Sequence, residues 1–284
     1  MAPAASEFGR RLLRKGGDDD VLFLAGGVAF NILLAGVPFF LLLAAGLGYA
    51  LGTSAAAANS AVAGFIRNLF PAGADASHSV LDPVLRDIAR TRGRVGLVGG
   101  VTFVWFSTRL FGSLRSVFNR VFCVPRRRGI LVGKLHDAGL TLAATVLVVL
   151  WIVASAYIAL ARTRGVVFLT GLGLHAEGVM RPLTYVVGRA LTYALLVGIF
   201  YSLYRVLPNR AVASRQAATG AVVSATLFEA ARWAFALVVH RWNPATLYTG
   251  TLATIIVVVF WVYYAALIVI LGGEASQVAE DMRE

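Results

Sequence analysis

The sequence has 284 residues, of which 58% are hydrophobic and 14% are charged, and its mean hydropathy is +0.77. This composition excludes an ordinary soluble domain and indicates a membrane protein. The formal net charge of +12 comes almost entirely from arginine, and the arginines lie between apolar segments. They therefore favour contact with anionic lipid head groups and disfavour nucleic acid as a partner. The single cysteine, Cys123, excludes an internal disulfide and a cysteine-based metal site.

The chain is predicted to be an all-α, polytopic transmembrane helical bundle with six spans. A span needs about 20 apolar residues to cross a hydrocarbon core about 30 Å thick, and residues 21–273 contain six such stretches. Residues 1–20 lack the pattern of a cleavable signal peptide and are predicted to be a cytoplasmic segment, as is the tail 274–284. The predicted spans cover approximately residues 21–51, 95–118, 138–161, 183–204, 216–239 and 246–273.

The first apolar stretch is longer than a bilayer requires. We therefore expect its helix to bend near Gly36 and Pro38 and to project beyond the membrane. In the loop that follows, apolar residues recur at helical spacing over Val62–Leu69 and Val80–Ile88. The pattern predicts short amphipathic helices that pack on the outer side of the bundle or dip into the interface.

Basic residues in the short connections predict the orientation, because such connections are retained in the cytoplasm. The amino-terminal segment, the Arg126–Lys134 connection and the loop of Pro208 carry many of them and fall on one side of a six-span model. The long first loop also contains arginines, but long loops carry less weight. Both termini are therefore predicted to be cytoplasmic.

Charged residues inside the predicted spans are the candidate functional residues. A charge in the hydrocarbon core costs about 2.5–3.5 kcal/mol on insertion scales, so it needs a partner, a wet cavity or the interface. Arg109 lies near the middle of the second span, and Glu229 lies at a similar depth in the fifth span, three residues before Arg232. Glu229 can pair with Arg232 in its own helix or with Arg109 across helices, and the two pairings are not exclusive. We predict that these residues line a common polar cavity with Asn31 and Trp105 at its wall.

Each of these residues also has a purely structural interpretation. Arg109 can hold the bundle together through backbone carbonyls of other helices, and Asn31 can bond a neighbouring helix beside a kink at Pro38. Arg189, in the fourth span, is nearer the outer surface. Its long side chain can reach the membrane interface, which explains why a charge is tolerated there.

Hydrolytic and nucleotide-driven chemistry find no support in the sequence. The four histidines, His78, His136, His175 and His240, are scattered, with no paired-histidine zinc spacing and no cluster of carboxylates beside them. Neither lysine follows a glycine-rich phosphate loop. We therefore expect no catalytic residues, no metal and no cofactor.

Seven short motifs follow one another in an order that resembles a known family. They are Ala29–Asn31 with Pro38, Val104–Arg109 with Asn119, Leu207–Arg210 with its Pro208 and Asn209, Glu229–Trp233, Tyr248–Leu252 with its Gly250, Trp261–Tyr263, and Gly272–Glu274. Their succession resembles the YihY/BrkB family of bacterial inner-membrane proteins, once labelled ribonuclease BN. The resemblance covers nearly the whole chain and implies six spans in the inner membrane with both termini inside. The chain departs from the family pattern at Asn31, where tyrosine is usual.

These observations favour a secondary or facilitated transporter, or a lipid-handling permease, over an enzyme. A central arginine-containing cavity would receive an anionic ligand, and lipids with anionic head groups are the expected partners, with a homo-oligomer also compatible with the sequence. The alternative is a scaffold that organises the envelope, in which the buried charges only specify the fold. Ribonuclease activity is disfavoured, because metal-assisted cleavage would need converging carboxylates or histidines.

Overall fold

A computed structural model describes residues 2–50, 92–124, 139, 176–242 and 250–283. All regular secondary structure in these ranges is helical, which confirms the all-α class for this part of the chain. We number the described helices in chain order as α1 (Ala2–Asp18), α2 (Val21–Ala50), α3 (Arg92–Val121), α4 (Ala176–Val206), α5 (Ser214–Trp242) and α6 (Gly250–Asp281).

Helices α2 to α6 occupy five of the six ranges in which spans are predicted, and α1 lies in the amino-terminal segment. Two described helices are long and apolar enough to cross a membrane alone, Ser214–Val238 in α5 and Ile255–Asp281 in α6. A third candidate joins Ser6–Asp18 to Val21–Gly36 with a bend of 67°. By this criterion the described residues contain two or three spans, and the six-span bundle stays a prediction.

Several predicted features lie outside the described residues. They are the span at 138–161 apart from residue 139, the loop helices Val62–Leu69 and Val80–Ile88, the connection Arg126–Lys134, and Tyr248.

The chain changes direction between α1 and α2 at Asp20. Its φ of 53° lies in the left-handed region, which aspartate tolerates better than most residues. The Asp20 amide still donates to the Gly17 carbonyl at 3.1 Å, and the Asp20 carbonyl accepts from Leu24 at 3.0 Å, so both helix ends are hydrogen-bonded through the turn. Helix α2 then runs through Pro38, whose side chain is buried. The turn at Asp20 is what directs α1 towards α6.

Helix α6 lies at the centre of the described bundle. It packs against α1, α2, α3 and α5, while α4 packs on α5 and α2 packs on α3. Its apolar sequence fits this position, because a helix that is hydrophobic on all sides is buried by neighbouring helices or lipid. Aromatic pairs link the helices: Phe118 contacts Tyr204 at 5.4 Å between ring centroids, and Phe228 contacts Trp261 at 5.3 Å.

Helices α5 and α6 approach each other most closely at Gly220 and Gly272. A Cβ placed on Gly220 would lie 2.7 Å from the carbonyl oxygen of Gly272 and 2.9 Å from Ser276 Cβ. Beside this contact the buried Tyr204 hydroxyl donates to the Val269 carbonyl at 2.7 Å and lies 2.6 Å from Ser224 Oγ. Since no side chain fits between the two backbones, glycine allows the hydroxyl groups to bond across three helices.

Candidate functional site

Charged side chains of α4 and α5 form an ion-paired group, which we call the arginine–glutamate triad: Arg189, Glu229 and Arg232. Glu229 Oε2 lies 3.2 Å from Arg189 Nη2 and 3.0 Å from Arg232 Nη2. Of the two pairings that the sequence left open, the structure contains the one within α5. The carboxylate finds its interhelical partner in Arg189 and not in Arg109.

The interface between α4 and α5 is also hydrogen-bonded one turn away from the triad. The Tyr193 hydroxyl lies 3.0 Å from Thr226 Oγ1, and Thr226 Oγ1 donates to the Val222 carbonyl at 2.8 Å. Because a threonine hydroxyl has one hydrogen, Tyr193 is the donor to Thr226. Tyr193 follows Arg189 by one turn of α4, and Thr226 precedes Glu229 by nearly one turn of α5, so the two contacts share one interhelical seam.

The triad lies far from the end of the bundle at which α4 ends and α5 begins. At a rise of about 1.5 Å per residue, Glu229 is about 22 Å along α5 from Ser214, and Arg189 is about 26 Å along α4 from Val206. The side chains of Glu229 and Arg232 are 19% and 18% exposed, whereas that of Arg189 is 53% exposed. A half-exposed guanidinium therefore lies near the middle of α4, away from the end of the bundle at which α4 meets α5.

The other residues predicted for the cavity do not join the triad. Arg109 is exposed on α3 and Trp105, one turn earlier, is 67% exposed. Asn31 donates from Nδ2 to the Gly27 carbonyl of its own helix at 2.8 Å, and its Oδ1 is buried with no hydrogen-bond partner among the described residues. The shared cavity of Arg109 and Glu229 stays a prediction.

A second polar group lies at the end of the bundle where α3, α4 and α6 end and α2 and α5 begin. Its side chains come from six separate segments of the chain and are largely sheltered from solvent. We call it the end cluster, and it consists of Lys15, Asp19, Asn119, Arg120, Asn209, Arg210, Gln216, Glu274 and Gln277.

Ion pairs join one half of the end cluster. Glu274 is fully buried, and its Oε2 lies 2.6 Å from Lys15 Nζ. The same ammonium donates to Asp19 Oδ2 at 3.1 Å and to the Val121 carbonyl at 3.0 Å. Arg120 approaches Asp19 Oδ1 at 3.4 Å. Among the described residues, Lys15 is the cation that contacts Glu274.

Asp19 is the more strongly stabilised of the two carboxylates around Lys15. Burial alone would raise the pKa of Asp19, but the hydrogen bond and charge of Lys15 outweigh it and lower the pKa below its usual value. Smaller contributions of the same sign come from Glu274 and Arg120. Asp19 therefore stays ionised, and it shares one ammonium with a second, more deeply buried carboxylate.

Amide groups join the other half of the end cluster. Asn119 Oδ1 accepts a hydrogen bond from the Asn209 backbone N–H at 2.9 Å, which fixes the loop between α4 and α5 to the end of α3. The Arg210 guanidinium donates to Gln277 Oε1 at 3.0 Å and lies over the Phe122 ring at 5.3 Å from its centroid. Gln216 Nε2 donates to the same Gln277 oxygen at 3.1 Å. These contacts hold together the carboxyl ends of α3, α4 and α6 and the amino end of α5.

Four positions of the family motifs meet in the end cluster, namely Asn119, Asn209, Arg210 and Glu274, with Pro208 buried beside them. Gly250 begins α6, and Pro38 lies elsewhere in α2. Sequence reasoning missed the other five members, Lys15, Asp19, Arg120, Gln216 and Gln277, and it missed Arg189 as the partner of Glu229. The signal for Lys15 is its four-residue spacing from Asp19, and the signal for Arg189 is its shared face with Tyr193. No spacing connects Gln216 to Gln277.

Residues 2–50, 92–124, 139, 176–242 and 250–283 contain no group of three or more histidine, cysteine, aspartate or glutamate side chains placed to hold a metal ion. The buried polar groups of this part form ion pairs, amide contacts and hydroxyl hydrogen bonds.

Comparison with known proteins extends over nearly the entire chain. "UPF0761 membrane protein" of Vibrio atlanticus (strain LGP32) is 29% identical over 97% of this chain and 83% of its own length. The protein of the same name from Pseudoalteromonas atlantica is 25% identical over 98% of this chain and 87% of its own. That from Legionella pneumophila (strain Corby) is 28% identical over 91% of this chain and 58% of its own. No solved structure matches. The family model described as "Virulence factor BrkB" matches residues 12–284, and the chain therefore belongs to the BrkB family of membrane proteins.

Proposed function

We propose that this protein binds and moves an anionic ligand within the membrane as a secondary or facilitated transporter or a lipid-handling permease. The ligand carries a phosphate or carboxylate group, either on a lipid or on a small acid. The proposal includes no catalytic step. It places the protein in the bacterial inner membrane with both termini cytoplasmic, and anionic phospholipids are the expected surroundings.

One observation carries the proposal, the half-exposed Arg189 of the arginine–glutamate triad. Two guanidinium groups contact one carboxylate, so the three groups together carry a charge of +1. Arg189 contacts Glu229 through Nη2 while 53% of its side chain is accessible. Guanidinium is suited to phosphate and carboxylate, because its planar N–H groups can bind two oxygens at once.

The position of Arg189 explains why an anion would be drawn to it. A charge facing lipid at the helix centre costs about 2.5–3.5 kcal/mol on insertion scales, and an anionic group or water beside it removes that cost. Glu229 serves two functions here. It neutralises part of the charge when the site is empty, and it holds Arg189 on the seam between α4 and α5.

Transport in vesicles made with the full-length protein tests the proposal. One set of vesicles contains fluorescent phosphatidylglycerol and measures lipid movement between leaflets, and another contains labelled inorganic phosphate or succinate and measures flux. We expect activity in one set, and we expect Arg189→Gln to lower that rate at least about tenfold, equivalent to about 1.4 kcal/mol. The control is Arg215→Gln, which removes an exposed arginine from the first turn of α5 and should leave the rate unchanged.

Which vesicle set responds identifies the source of the anionic group. Equal rates for wild type and Arg189→Gln in both sets would refute the assignment of the ligand to the triad. The melting temperature of each variant is measured alongside, so that a loss of rate is not confused with a loss of fold.

The envelope-organising scaffold remains the second candidate, favoured by the closely packed interface of α5 with α6 and by the end cluster. A scaffold predicts that vesicles with wild-type protein move neither lipid nor small anions. It also predicts that Arg189→Gln acts only by lowering the melting temperature.

A further inference from the structure

We propose that Glu274 is a proton-binding site, and that binding of one proton there weakens the attachment of α1 to the rest of the bundle. The bound proton would also be the ion coupled to transport, and this second part rests on the proposed function. The binding of the proton follows from the end cluster alone.

The charges around Lys15 do not balance. Its ammonium lies 2.6 Å from Glu274 and 3.1 Å from Asp19, and with both acids ionised these three sheltered groups carry a net charge of −1. Arg120 is 45% exposed and is shared at 3.4 Å between Asp19 and Asp20, which is itself 67% exposed, so its charge lies at the solvated edge. One proton makes the group of three neutral, which is the favoured state of charges removed from water.

Among the three acids, Glu274 is the natural acceptor. Asp20 is 67% exposed and is solvated, and Asp19 has both Lys15 and Arg120 as partners. Glu274 is fully buried and has only a share of the Lys15 ammonium. When two carboxylates share a site, the proton goes to the one that is less stabilised in its charged form.

Among the described residues, the charged groups joined to Glu274 come from α1, the turn after it and α3. Helix α1 provides Lys15, the turn provides Asp19, and α3 provides Arg120 behind Asp19. At the preceding residue, Gly273, the atoms nearest to an added Cβ belong to the apolar side chains of Phe118 and Val121 of α3. Lys15 is 21% exposed, so water reaches the cluster on the side of α1.

The step is a simple proton transfer. A proton from water or buffer forms an O–H bond with one carboxylate oxygen of Glu274, and Lys15 keeps its own proton. The ammonium then loses one of its two carboxylate partners while its contacts with Asp19 and the Val121 carbonyl remain. Because α1 packs on α6, the loss of this ion pair loosens α1 without dissolving the bundle.

Infrared difference spectroscopy of the full-length protein in phosphatidylcholine nanodiscs tests the proposal. We expect a carboxylic-acid carbonyl band that appears as the pH is lowered through the range in which physiological switches operate, about pH 8 to about pH 5. Glu274→Gln should remove this band. The control, Glu280→Gln, removes a glutamate of α6 that pairs only with Arg283 among the described residues, and it should keep the band.

Lys15→Met provides the second variant. It removes the cation that favours the ionised carboxylate, and an opposite charge at this distance shifts a titration by about 1–3 pH units. The band should therefore appear at a pH at least about one unit higher in Lys15→Met. A band that persists in Glu274→Gln, or a midpoint that is unchanged in Lys15→Met, would overturn the assignment.

Amide hydrogen exchange and transport complete the test. Protection of residues 2–18, taken relative to the intrinsic exchange rate at each pH, should fall at low pH in the wild type, and in Glu274→Gln it should be low at every pH. If the transport proposal also holds, Glu274→Gln keeps flux but loses its pH dependence. If no flux is measured but the carboxylic-acid band of Glu274 still appears at low pH, the proposed function is wrong and the proton-binding site is supported.

Discussion

Gly220 lies where α5 and α6 are closest, and Gly220→Ala tests whether this contact holds the bundle together. The added methyl group would meet the Gly272 carbonyl oxygen at 2.7 Å and Ser276 Cβ at 2.9 Å, and Tyr204 Cδ2 at 3.2 Å. The first of these atoms belongs to the backbone and cannot rotate away. The two helices must therefore separate by several tenths of an ångström before the added methyl group is at an ordinary van der Waals distance from this oxygen.

The expected cost is about 2 kcal/mol. Overpacking of a buried contact costs about 1–3 kcal/mol. Separation of the helices also weakens the buried hydrogen bond that Ser276 Oγ donates to the Gln216 carbonyl at 2.9 Å. Its loss adds about 1 kcal/mol to the cost. The higher helix propensity of alanine stabilises the folded protein by about 1 kcal/mol and offsets part of this cost. By soluble-domain scaling, 2 kcal/mol corresponds to a melting temperature lower by about 4–8 °C.

Gly198→Ala is the matched control, because a Cβ on Gly198 of α4 meets nothing within 4 Å. It should leave the melting temperature unchanged or raise it slightly through helix propensity. Unfolding is followed by intrinsic tryptophan fluorescence in detergent, with size-exclusion chromatography to check dispersity. If Gly220→Ala melts at or above the temperature of Gly198→Ala, the close contact does not stabilise the protein and the reasoning fails.

Three further predictions concern the interior, the loop and the topology. Arg109→Gln should lower transport while leaving the melting temperature within about 2 °C of wild type, and a change in melting temperature alone would favour the scaffold. Asn119→Ala should cost about 1–3 kcal/mol in thermal unfolding, because it leaves the half-buried Asn209 N–H without its acceptor, and a neutral result would show that water replaces it. In a variant lacking Cys123, a cysteine at Arg127 should resist impermeant reagents applied outside intact cells, and its labelling would reverse the predicted orientation.

The sequence predicts the helices of this protein better than it predicts their partners. The uncharged run in α6 and the apolar run in α2 are recognisable because the period and length of an apolar stretch report local structure. Depth along a helix can also be read from the sequence, and the similar depths of Arg109 and Glu229 stay a prediction. Which face of one helix meets which face of another is not local information, so Arg189 emerges as the partner of Glu229 only from the packed bundle.

The end cluster shows the same limit from the other direction. Glu274 and Asn119 attract notice as motif positions, and the six-span prediction already places both at the cytoplasmic end of the bundle, yet it does not indicate that Lys15 meets Glu274 there. The turn at Asp20 decides this, because its left-handed backbone directs α1 to α6, and a single aspartate is a weak predictor of such a turn. Nothing in the sequence distinguishes Gln216 and Gln277 from other polar residues, and only the packing of α5 on α6 brings their amides into contact.

The ion pair between Lys15 and Glu274 sets an order of events during synthesis. The ribosome makes Lys15 about 260 residues before Glu274, which at about 5–20 residues per second is an interval of about 13–50 s. During that time Lys15 has Asp19, four residues away, as a local partner, and the Val121 carbonyl follows later. Helix α1 can complete its docking only after α6 has been made, so the ion pair between Lys15 and Glu274 forms late in the folding of the described bundle.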